Sequence, residues 1–224
     1  MTSTSCAVLI DIDGTLVDSN YLHLFAWLKA FQDADHPVDG RALHRALGMG
    51  SDLLIEKLLG SSDPDPGLVE RIQKVHSEEY ADLTSLLRPF DGAADLLEAL
   101  QARGLHVVLA TSASPDELER VAKVLPIDEY DVVGGEDVEN AKPEPDLVAA
   151  ALAKAGVPAE RAMFIGDTVW DVEAASRAGV PCIGLLTGGI SMSELIGAGA
   201  IAVYPSPQTL LDDLDDSPLA PLWA

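Results

Sequence analysis

Short apolar runs recur along the chain and alternate with stretches whose apolar residues have helical spacing. The clearest runs lie at 7–10, 105–111, 161–167 and 180–186, and a weaker one lies at 130–135. Uninterrupted apolar runs are typical of strands buried on both faces of a parallel sheet. Strands that alternate with helices predict an α/β fold in which helices cover both faces of that sheet.

The stretches between these runs have the spacing and the end signals of helices. Helical spacing is found at 91–103, 115–125 and 169–178, and the segment EPDLVAAALAKAG ends at Gly156. Glycine suits the left-handed position that ends a helix, and proline suits its first turn. A further helix, strand and helix are expected after residue 190.

The segment 18–89 differs from the rest because it shows no convincing strand. Helical spacing at 19–33, about 40–59 and 66–88 surrounds a loop rich in serine, aspartate, proline and glycine. We therefore predict a helical insertion over 18–89 within a core formed by 1–17 and 90–224. The last ten residues, DDSPLAPLWA, are predicted to be a surface extension, with no expected position for Trp223.

The composition is strongly acidic, with 14 Lys+Arg against 37 Asp+Glu and a formal net charge of -23. This charge argues against nucleic acid or an anionic membrane as a partner. The sequence contains neither an apolar stretch of membrane-spanning length nor a secretory signal. The two cysteines, Cys6 and Cys182, are expected to be buried and reduced. A cytoplasmic location is therefore predicted.

The stretch DIDGT places Asp11 and Asp13 directly after the first apolar run. Residues two apart on a strand point to the same side, and two like charges held together oppose each other's ionisation. Three explanations are open: a solvated acidic turn, a calcium loop, or a site that binds something positive. An EF-hand loop places glycine at its sixth position and follows a helix, whereas this glycine is fourth and follows an apolar run.

Other polar residues follow the later strands. Thr111 ends the run at 105–111 and Ser112 follows it, while Asp167 ends the run at 161–167. Lys142 precedes the helix that leads into the run at 161–167. Ligands bind at the carboxyl ends of the strands in an open parallel sheet, so these side chains are expected at one edge. A lysine at a helix N-terminus is unfavourable unless an anion lies opposite, although a solvated surface lysine is the alternative.

The ordered motifs DIDGT, Thr111, Lys142-Pro143 and GDTVWD resemble those of the haloacid dehalogenase-like superfamily. The resemblance extends over the whole chain. Within the superfamily, the chain is similar to the branch that contains phosphoglycolate phosphatase and β-phosphoglucomutase. It implies a Rossmann-like core, an inserted helical cap domain over 18–89 and Mg²⁺ as the cofactor. The cap would close over the site, with hinges near 16–20 and 89–92.

The resemblance also implies roles for the first motif and the lysine. Asp11 would be the nucleophile that forms an aspartyl-phosphate, and Asp13 the general acid–base whose backbone carbonyl also binds the metal. Gly14 would let the backbone turn close to the phosphoryl group. Lys142 would favour the ionised form of Asp11.

The later motifs would bind phosphate and metal. Thr111 and the amide of Ser112 would donate to phosphoryl oxygens, although Thr111 could instead cap a helix. Asp167 would join Asp11 and Asp13 as a metal ligand, and an oxygen-only ligand set suits Mg²⁺. Asp171 would orient Lys142 or a metal-bound water, or else form a capping box with Thr168.

The presence of an aspartate at residue 13 distinguishes between the activities found in this family. Dehalogenases and phosphonatase-like members lack an acid at this position, so a phosphatase acting on a small phosphorylated metabolite is predicted. A β-phosphoglucomutase-like mutase keeps both acids and is the alternative. Leu47 and Ser51 stand where that mutase has basic groups, which weakens the mutase interpretation.

Residues of the helical insertion are candidate substrate contacts, namely Arg45, Met49 and Ser51, while His23 and His44 are expected to be ordinary helix-surface residues. Two further alternatives are a receiver domain, which normally lacks the insertion, and a catalytically silent relative that only binds ligands. Monomer is the default expectation for capped members. The sequence does not identify the substrate.

Overall fold

The computed structural model describes residues 6–223. A sheet of parallel strands forms its main core. The strands are β1 (Ala7–Ile10), β2 (His106–Ala110), β3 (Asp131–Val133), β4 (Ala162–Gly166), β5 (Cys182–Leu185) and β6 (Ala202–Tyr204). They form a six-stranded sheet in the order β3-β2-β1-β4-β5-β6, and every neighbouring pair is parallel. This is the strand order of a doubly wound, Rossmann-like sheet.

The strand β1 occupies the middle of the sheet. Ile10 is in register with Leu109 of β2 on one side and with Ile165 of β4 on the other. All four residues of β1 are fully buried, and burying each large aliphatic side chain contributes about 1.5–3 kcal/mol. The first polar residue, Asp11, therefore stands where the buried strand ends.

Helices connect the strands along the chain and follow the last one. They are α1 (Asn20–Asp33), α2 (Gly40–Ala46), α3 (Ser51–Leu59), α4 (Pro66–Leu83), α5 (Ala93–Ala102), α6 (Pro115–Val121), α7 (Asp146–Ala155), α8 (Val169–Arg177), α9 (Met192–Ala198) and α10 (Pro207–Asp212). Ser114, Thr168 and Ser191 cap the starts of α6, α8 and α9 with their side chains. Among the described residues, no helix combines the length and apolar character needed to cross a membrane.

The described chain divides into two compact units. One comprises the residues up to Asp18 together with those from Arg88 onwards, and the other is Ser19–Leu87. The larger unit contains the sheet and α5 to α10, and the smaller contains α1 to α4. The smaller unit has its own apolar core, whose buried members include Trp27, Phe31, Leu43, Ile55 and Ile72.

The two segments that connect the units pair with each other inside the larger unit. The amide of Asp18 donates to the Arg88 carbonyl at 2.8 Å, and the amide of Phe90 donates to the Leu16 carbonyl at 2.9 Å. Val17 and Pro89 form an antiparallel bridge between these bonds. The chain therefore leaves and re-enters the sheet unit through adjacent, hydrogen-bonded segments.

A stack of aromatic rings and histidines lies inside the smaller unit. His23 Nδ1 and His76 Nε2 are 3.2 Å apart, the Trp27 ring lies 3.8 Å from that of His76, and the Tyr80 ring lies 3.9 Å from that of His23. Burial, with a smaller effect of His23, lowers the pKa of His76 to about 2. The expectation that His23 is an ordinary helix-surface residue is therefore wrong.

Two helices are shorter than their periodicity predicts. The helical spacing at 40–59 is interrupted between α2 and α3, where Gly48 adopts a φ of 89° that ends regular helix. The helix predicted at 115–125 ends at Val121. The following turn leads into Pro126, and the residue before a proline is disfavoured in helical conformation.

The prediction that the last ten residues form a surface extension is also wrong. Leu219 is fully buried, and the buried Ser217 hydroxyl donates to the Leu214 carbonyl at 2.8 Å. The Arg103 guanidinium lies 5.2 Å from the Trp223 ring centroid and donates to Asp215 at 2.7 Å. Apolar residues interrupted by prolines show no regular period, so the sequence pattern did not indicate this packing.

The buried His76 predicts how the stability of the chain depends on pH. Because its pKa falls from 6.5 to about 2 on folding, the unfolded state binds the proton first as the pH is lowered. The stabilisation is complete above about pH 6.5 and is lost progressively below it. Between pH 7.5 and pH 5.5 the wild type should lose about 1.4 kcal/mol more unfolding free energy than His76→Phe.

Urea unfolding followed by circular dichroism at the two pH values measures this difference. The exposed His36 supplies a matched control, because His36→Gln should keep the wild-type dependence. An identical pH dependence of the wild type and His76→Phe would contradict the burial of a neutral His76.

Candidate active site

Three neighbouring strands deliver polar residues to the same edge of the sheet. Asp11 follows β1, Thr111 follows β2 and Asp167 follows β4, and β1 lies between the other two strands. All three side chains are buried. The sheet topology therefore brings together residues that are far apart in the sequence, as the strand-end argument predicted.

A tight turn follows Asp11. The amide of Gly14 donates to the Val17 carbonyl and the amide of Val17 donates to the Ile12 carbonyl, at 2.9 and 3.0 Å. Gly14 has a φ of 77°, a conformation in which a side chain would be strained. The turn leaves Asp13 half-buried, close enough to influence the ionisation of Asp11.

Lys142 links two buried carboxylates. Its Nζ donates to Asp11 Oδ1 and to Asp171 Oδ1, each at 2.6 Å. Only 1% of the lysine is exposed, so the alternative of a solvated surface lysine is excluded. Burial opposes its charge, but attraction to Asp11 and Asp171 outweighs burial and raises the pKa of Lys142. The lysine therefore remains charged in the interior.

Asp171 contacts Lys142 and also takes part in a helix cap. Its Oδ1 accepts from Lys142, while its Oδ2 accepts from the Thr168 amide at 3.0 Å and the Thr168 hydroxyl at 2.6 Å. The Thr168 hydroxyl in turn accepts from the Asp171 amide, which completes a capping box at the start of α8. The helix cap thus fixes the carboxylate that holds Lys142.

Gly166 makes room for this arrangement. A Cβ atom at residue 166 would lie 2.5 Å from Asp171 Cγ and 2.8 Å from Asp171 Oδ2. Such distances are too short for non-bonded atoms, so only glycine allows the Asp171 side chain to pack over the end of β4.

Thr15 is a residue that the sequence analysis did not select. Its hydroxyl donates to Asp167 Oδ1 at 2.8 Å and lies 3.5 Å from Asp11 Oδ2. Thr15 is fully buried. Thr15 is the last residue of the DIDGT stretch, but no separate role was expected for it.

The ionisation of Asp11 reflects opposing influences. Burial raises the pKa of Asp11 and the Lys142 ammonium lowers it, while the charges of Asp171 and Asp13 raise it again, with a result of about 7. Burial, together with the two neighbouring carboxylates, therefore outweighs Lys142 in its effect on the pKa of Asp11. Additional positive charge at this edge would favour the ionised form of Asp11.

The carboxylates can hold a metal ion. Oxygen atoms of Asp11, Asp167 and Asp171 lie within 4.8 Å of one another. Both oxygens of Asp171 accept hydrogen bonds of 2.6 Å, and Asp11 Oδ1 and Asp167 Oδ1 accept hydrogen bonds from Lys142 and Thr15. The cluster contains three buried carboxylates, of which Lys142 contacts two, and an all-oxygen donor set of this kind suits a hard divalent ion. The structure provides no test of a ligand role for Asp13.

A hydrogen bond between a side chain and the backbone stabilises the segment that follows β2. The Thr111 hydroxyl accepts from the Ala113 amide at 3.1 Å, which leaves its proton available for another acceptor. Thr111 does not cap the next helix, because Ser114 does so. A Cβ atom at Gly135 would lie 2.8 Å from the Ser112 carbonyl oxygen, so Gly135 allows close packing against this segment.

The candidate substrate contacts from the insertion lie in the smaller unit. Arg45 is exposed near the end of α2, and Met49 and Ser51 lie between that helix and the start of α3. His44 stacks on Tyr21 with a centroid distance of 5.7 Å. Their roles remain predictions.

Known proteins are similar to this chain in both sequence and fold. Residues 7–179 match the haloacid dehalogenase-like hydrolase family. The chain belongs to this family. A phosphoglycolate phosphatase from Rhodospirillum rubrum is 33% identical over 218 residues, which span 92% of this chain and 89% of the relative. The predictions of the family and of an enzyme of the phosphatase class are thereby confirmed.

Solved structures of similar proteins confirm the fold class. A hydrolase from Pseudomonas syringae has a TM-score of 0.90 at 35% identity, over 95% of this chain and 99% of that chain. CbbY from Rhodobacter sphaeroides, solved in complex with phosphate, has a TM-score of 0.74 at 27% identity, over 91% and 95% of the two chains. The α/β, Rossmann-like core is therefore shared with hydrolases of this family.

The close packing of Gly166 against Asp171 yields a testable substitution. Gly166→Ala should displace the Asp171 carboxylate and thereby loosen Lys142, lowering kcat/KM by about 100-fold, as for other small displacements in active sites. Gly197, where an added Cβ atom would meet no neighbour within 4 Å, supplies the control, because Gly197→Ala should leave the activity unchanged. Kinetics with p-nitrophenyl phosphate measure both, and wild-type activity of Gly166→Ala would refute this role of Asp171.

Proposed function

We propose that the protein is a Mg²⁺-dependent phosphatase that hydrolyses a small phosphate monoester through an aspartyl-phosphate on Asp11. The supporting observation is the 2.6 Å ion pair between Asp11 and the buried Lys142 at the carboxyl edge of the sheet. Phosphoglycolate is the first candidate substrate, because the relative from Rhodospirillum rubrum is a phosphoglycolate phosphatase.

In the first chemical step, an Asp11 carboxylate oxygen attacks phosphorus while the bond from phosphorus to the substrate oxygen breaks. The protonated Asp13 carboxyl gives its proton to the departing oxygen, so the product leaves as an alcohol. Lys142 keeps the attacking group in place through its hydrogen bond to Oδ1. Thr111 has a free hydroxyl proton with which to bind a phosphoryl oxygen.

The second step regenerates the enzyme. The Asp13 carboxylate now takes a proton from a water molecule, whose oxygen attacks phosphorus and breaks the bond to Asp11. Inorganic phosphate leaves and both acids return to their starting forms. One group must be ionised while its neighbour is protonated, which requires that their pKa values differ.

Mg²⁺ would be held by the carboxylates of Asp11 and Asp167 and by the backbone carbonyl of Asp13. When bound, the ion supplies the positive charge that offsets repulsion between the phosphate dianion and the acidic edge. This assignment also accounts for how a chain of net charge -23 binds an anion.

The helical segment 18–89 is proposed to act as a cap over this site. A cap excludes bulk water during the reaction and opens for product release. It also restricts substrates to small molecules, and Arg45 is a candidate contact for a charged group of the substrate. The hinges proposed near 16–20 and 89–92 would include residues of the two paired connections.

The alternative is a phosphosugar mutase with the same aspartyl-phosphate chemistry. A mutase transfers the phosphoryl group back to the substrate, whereas a phosphatase transfers it to water. The presence of Leu47 and Ser51 where basic groups are expected in the mutase favours the phosphatase. Phosphate release separates the two.

Steady-state assays with 2-phosphoglycolate and a panel of sugar phosphates and nucleotides test the proposal. Wild-type enzyme should release inorganic phosphate with Mg²⁺, and activity should be abolished by a chelator and restored by added Mg²⁺. Asp11→Asn should retain less than about a thousandth of kcat, because an amide does not replace the carboxylate nucleophile.

Asp95→Asn, which changes an exposed aspartate of the same unit, is the matched control and should retain full activity. Chelator-resistant turnover, or an active Asp11→Asn enzyme, would overturn the proposal. Isomerisation of a sugar phosphate with little phosphate release would establish the mutase instead.

A further inference from the structure

Asp167 is in contact with two residues that approach its carboxylate from different segments. Thr15 comes from the turn after β1, and Gly188 from the short 3-10 segment after β5. Asp167 itself follows β4 and is fully buried. Three separate strand ends thus meet at a single carboxylate.

Thr15 donates a hydrogen bond to one oxygen of the Asp167 carboxylate. A hydroxyl has one proton, and its 2.8 Å distance to Asp167 Oδ1 against 3.5 Å to Asp11 Oδ2 assigns that proton to Asp167. The hydrogen bond to a charged acceptor is of the stronger kind. Because Thr15 is fully buried, solvent does not compete for it.

Gly188 lies against the other side of the same carboxylate. A Cβ atom at residue 188 would be 2.7 Å from Asp167 Cγ and 2.9 Å from Asp167 Cβ. The φ of Gly188 is not in the left-handed range, so an alanine would fit its backbone conformation. The requirement for glycine at this position is therefore the close approach of Asp167 alone.

From these contacts we infer that Thr15 and Gly188 are positioning residues that fix the Asp167 carboxylate for cation binding. The inference rests on the proposed function, since it assigns Asp167 to the Mg²⁺ site. A carboxylate that accepts a hydrogen bond at Oδ1 and packs against backbone is held in one orientation. Partners of metal ligands typically contribute 10–100-fold to metal affinity.

Cation affinity in the absence of substrate tests this inference separately from catalysis. Isothermal titration with Mg²⁺ should give a Kd at least about 10-fold higher for Gly188→Ala than for the wild type. Thr15→Val keeps the shape of the side chain but removes the donor, and should also raise the Kd by about 10-fold. Thr15→Ser restores the hydroxyl and should stay within about twofold of the wild type.

Two reference variants define the range of the measurement. Asp167→Asn should abolish detectable binding, and Gly197→Ala, at a position with open space, should bind as the wild type does. Thermal melting of each protein without Mg²⁺ establishes that it is folded, and Thr15→Val against Thr15→Ser remains decisive if Gly188→Ala does not fold.

The possible results separate the two claims. Wild-type Mg²⁺ affinity in both Gly188→Ala and Thr15→Val would overturn the positioning role, even if the enzyme is a phosphatase. Weakened binding in these variants supports the role, even if phosphoglycolate and the other candidate substrates are not hydrolysed. Equal weakening in Thr15→Val and Thr15→Ser would show that the hydroxyl is not responsible and would overturn the part assigned to Thr15.

Discussion

A charged lysine buried between two carboxylates is the interaction on which the rest of the site depends. Removing Lys142 from water has a large energetic cost, and it is offset only if the partners are close and themselves well bonded. The 2.6 Å contacts to Asp11 and Asp171 meet that condition. They require a cap at Thr168 to fix Asp171, and a glycine at residue 166 to make room for it. A helix start and a strand end are thereby committed to the orientation of a single ammonium group.

The same interaction explains why a cation belongs at this edge. One ammonium group contacts two of the three buried carboxylates at this edge, and burial, with a smaller effect of the neighbouring acids, raises the pKa of Asp11 to about 7. A divalent ion would compensate the remaining negative charge and allow a phosphate group to approach. In a chain of net charge -23, affinity for an anion must arise from such a local reversal of charge. Under the proposed function, metal binding and substrate binding would be parts of one electrostatic arrangement.

The sequence predicted the main features of the site because periodicity places strand ends, and parallel strand ends meet at one edge. Asp11, Thr111 and Asp167 follow from that argument, whereas Lys142 was expected from its place before a helix. The contacts of Thr15 and Gly188 with Asp167 do not follow from the strand-end argument, since they join residues distant in sequence and depend on side-chain geometry. The dual role of Asp171 was hidden for a similar reason, because each of its oxygens satisfies a different interpretation. The packed C-terminal segment has no period that would have indicated its burial.

The central claim is that Asp11, held by Lys142, becomes phosphorylated during turnover. The most direct test is rapid acid quenching of the enzyme during hydrolysis of a substrate identified by the assays, followed by borohydride reduction and peptide mass spectrometry. Reduction of an aspartyl-phosphate converts the residue to homoserine, which marks the position of the phosphoryl group. We expect homoserine at residue 11 and unmodified aspartate at residues 13 and 167. Modification at either of those residues, or none at residue 11 during active turnover, would contradict it.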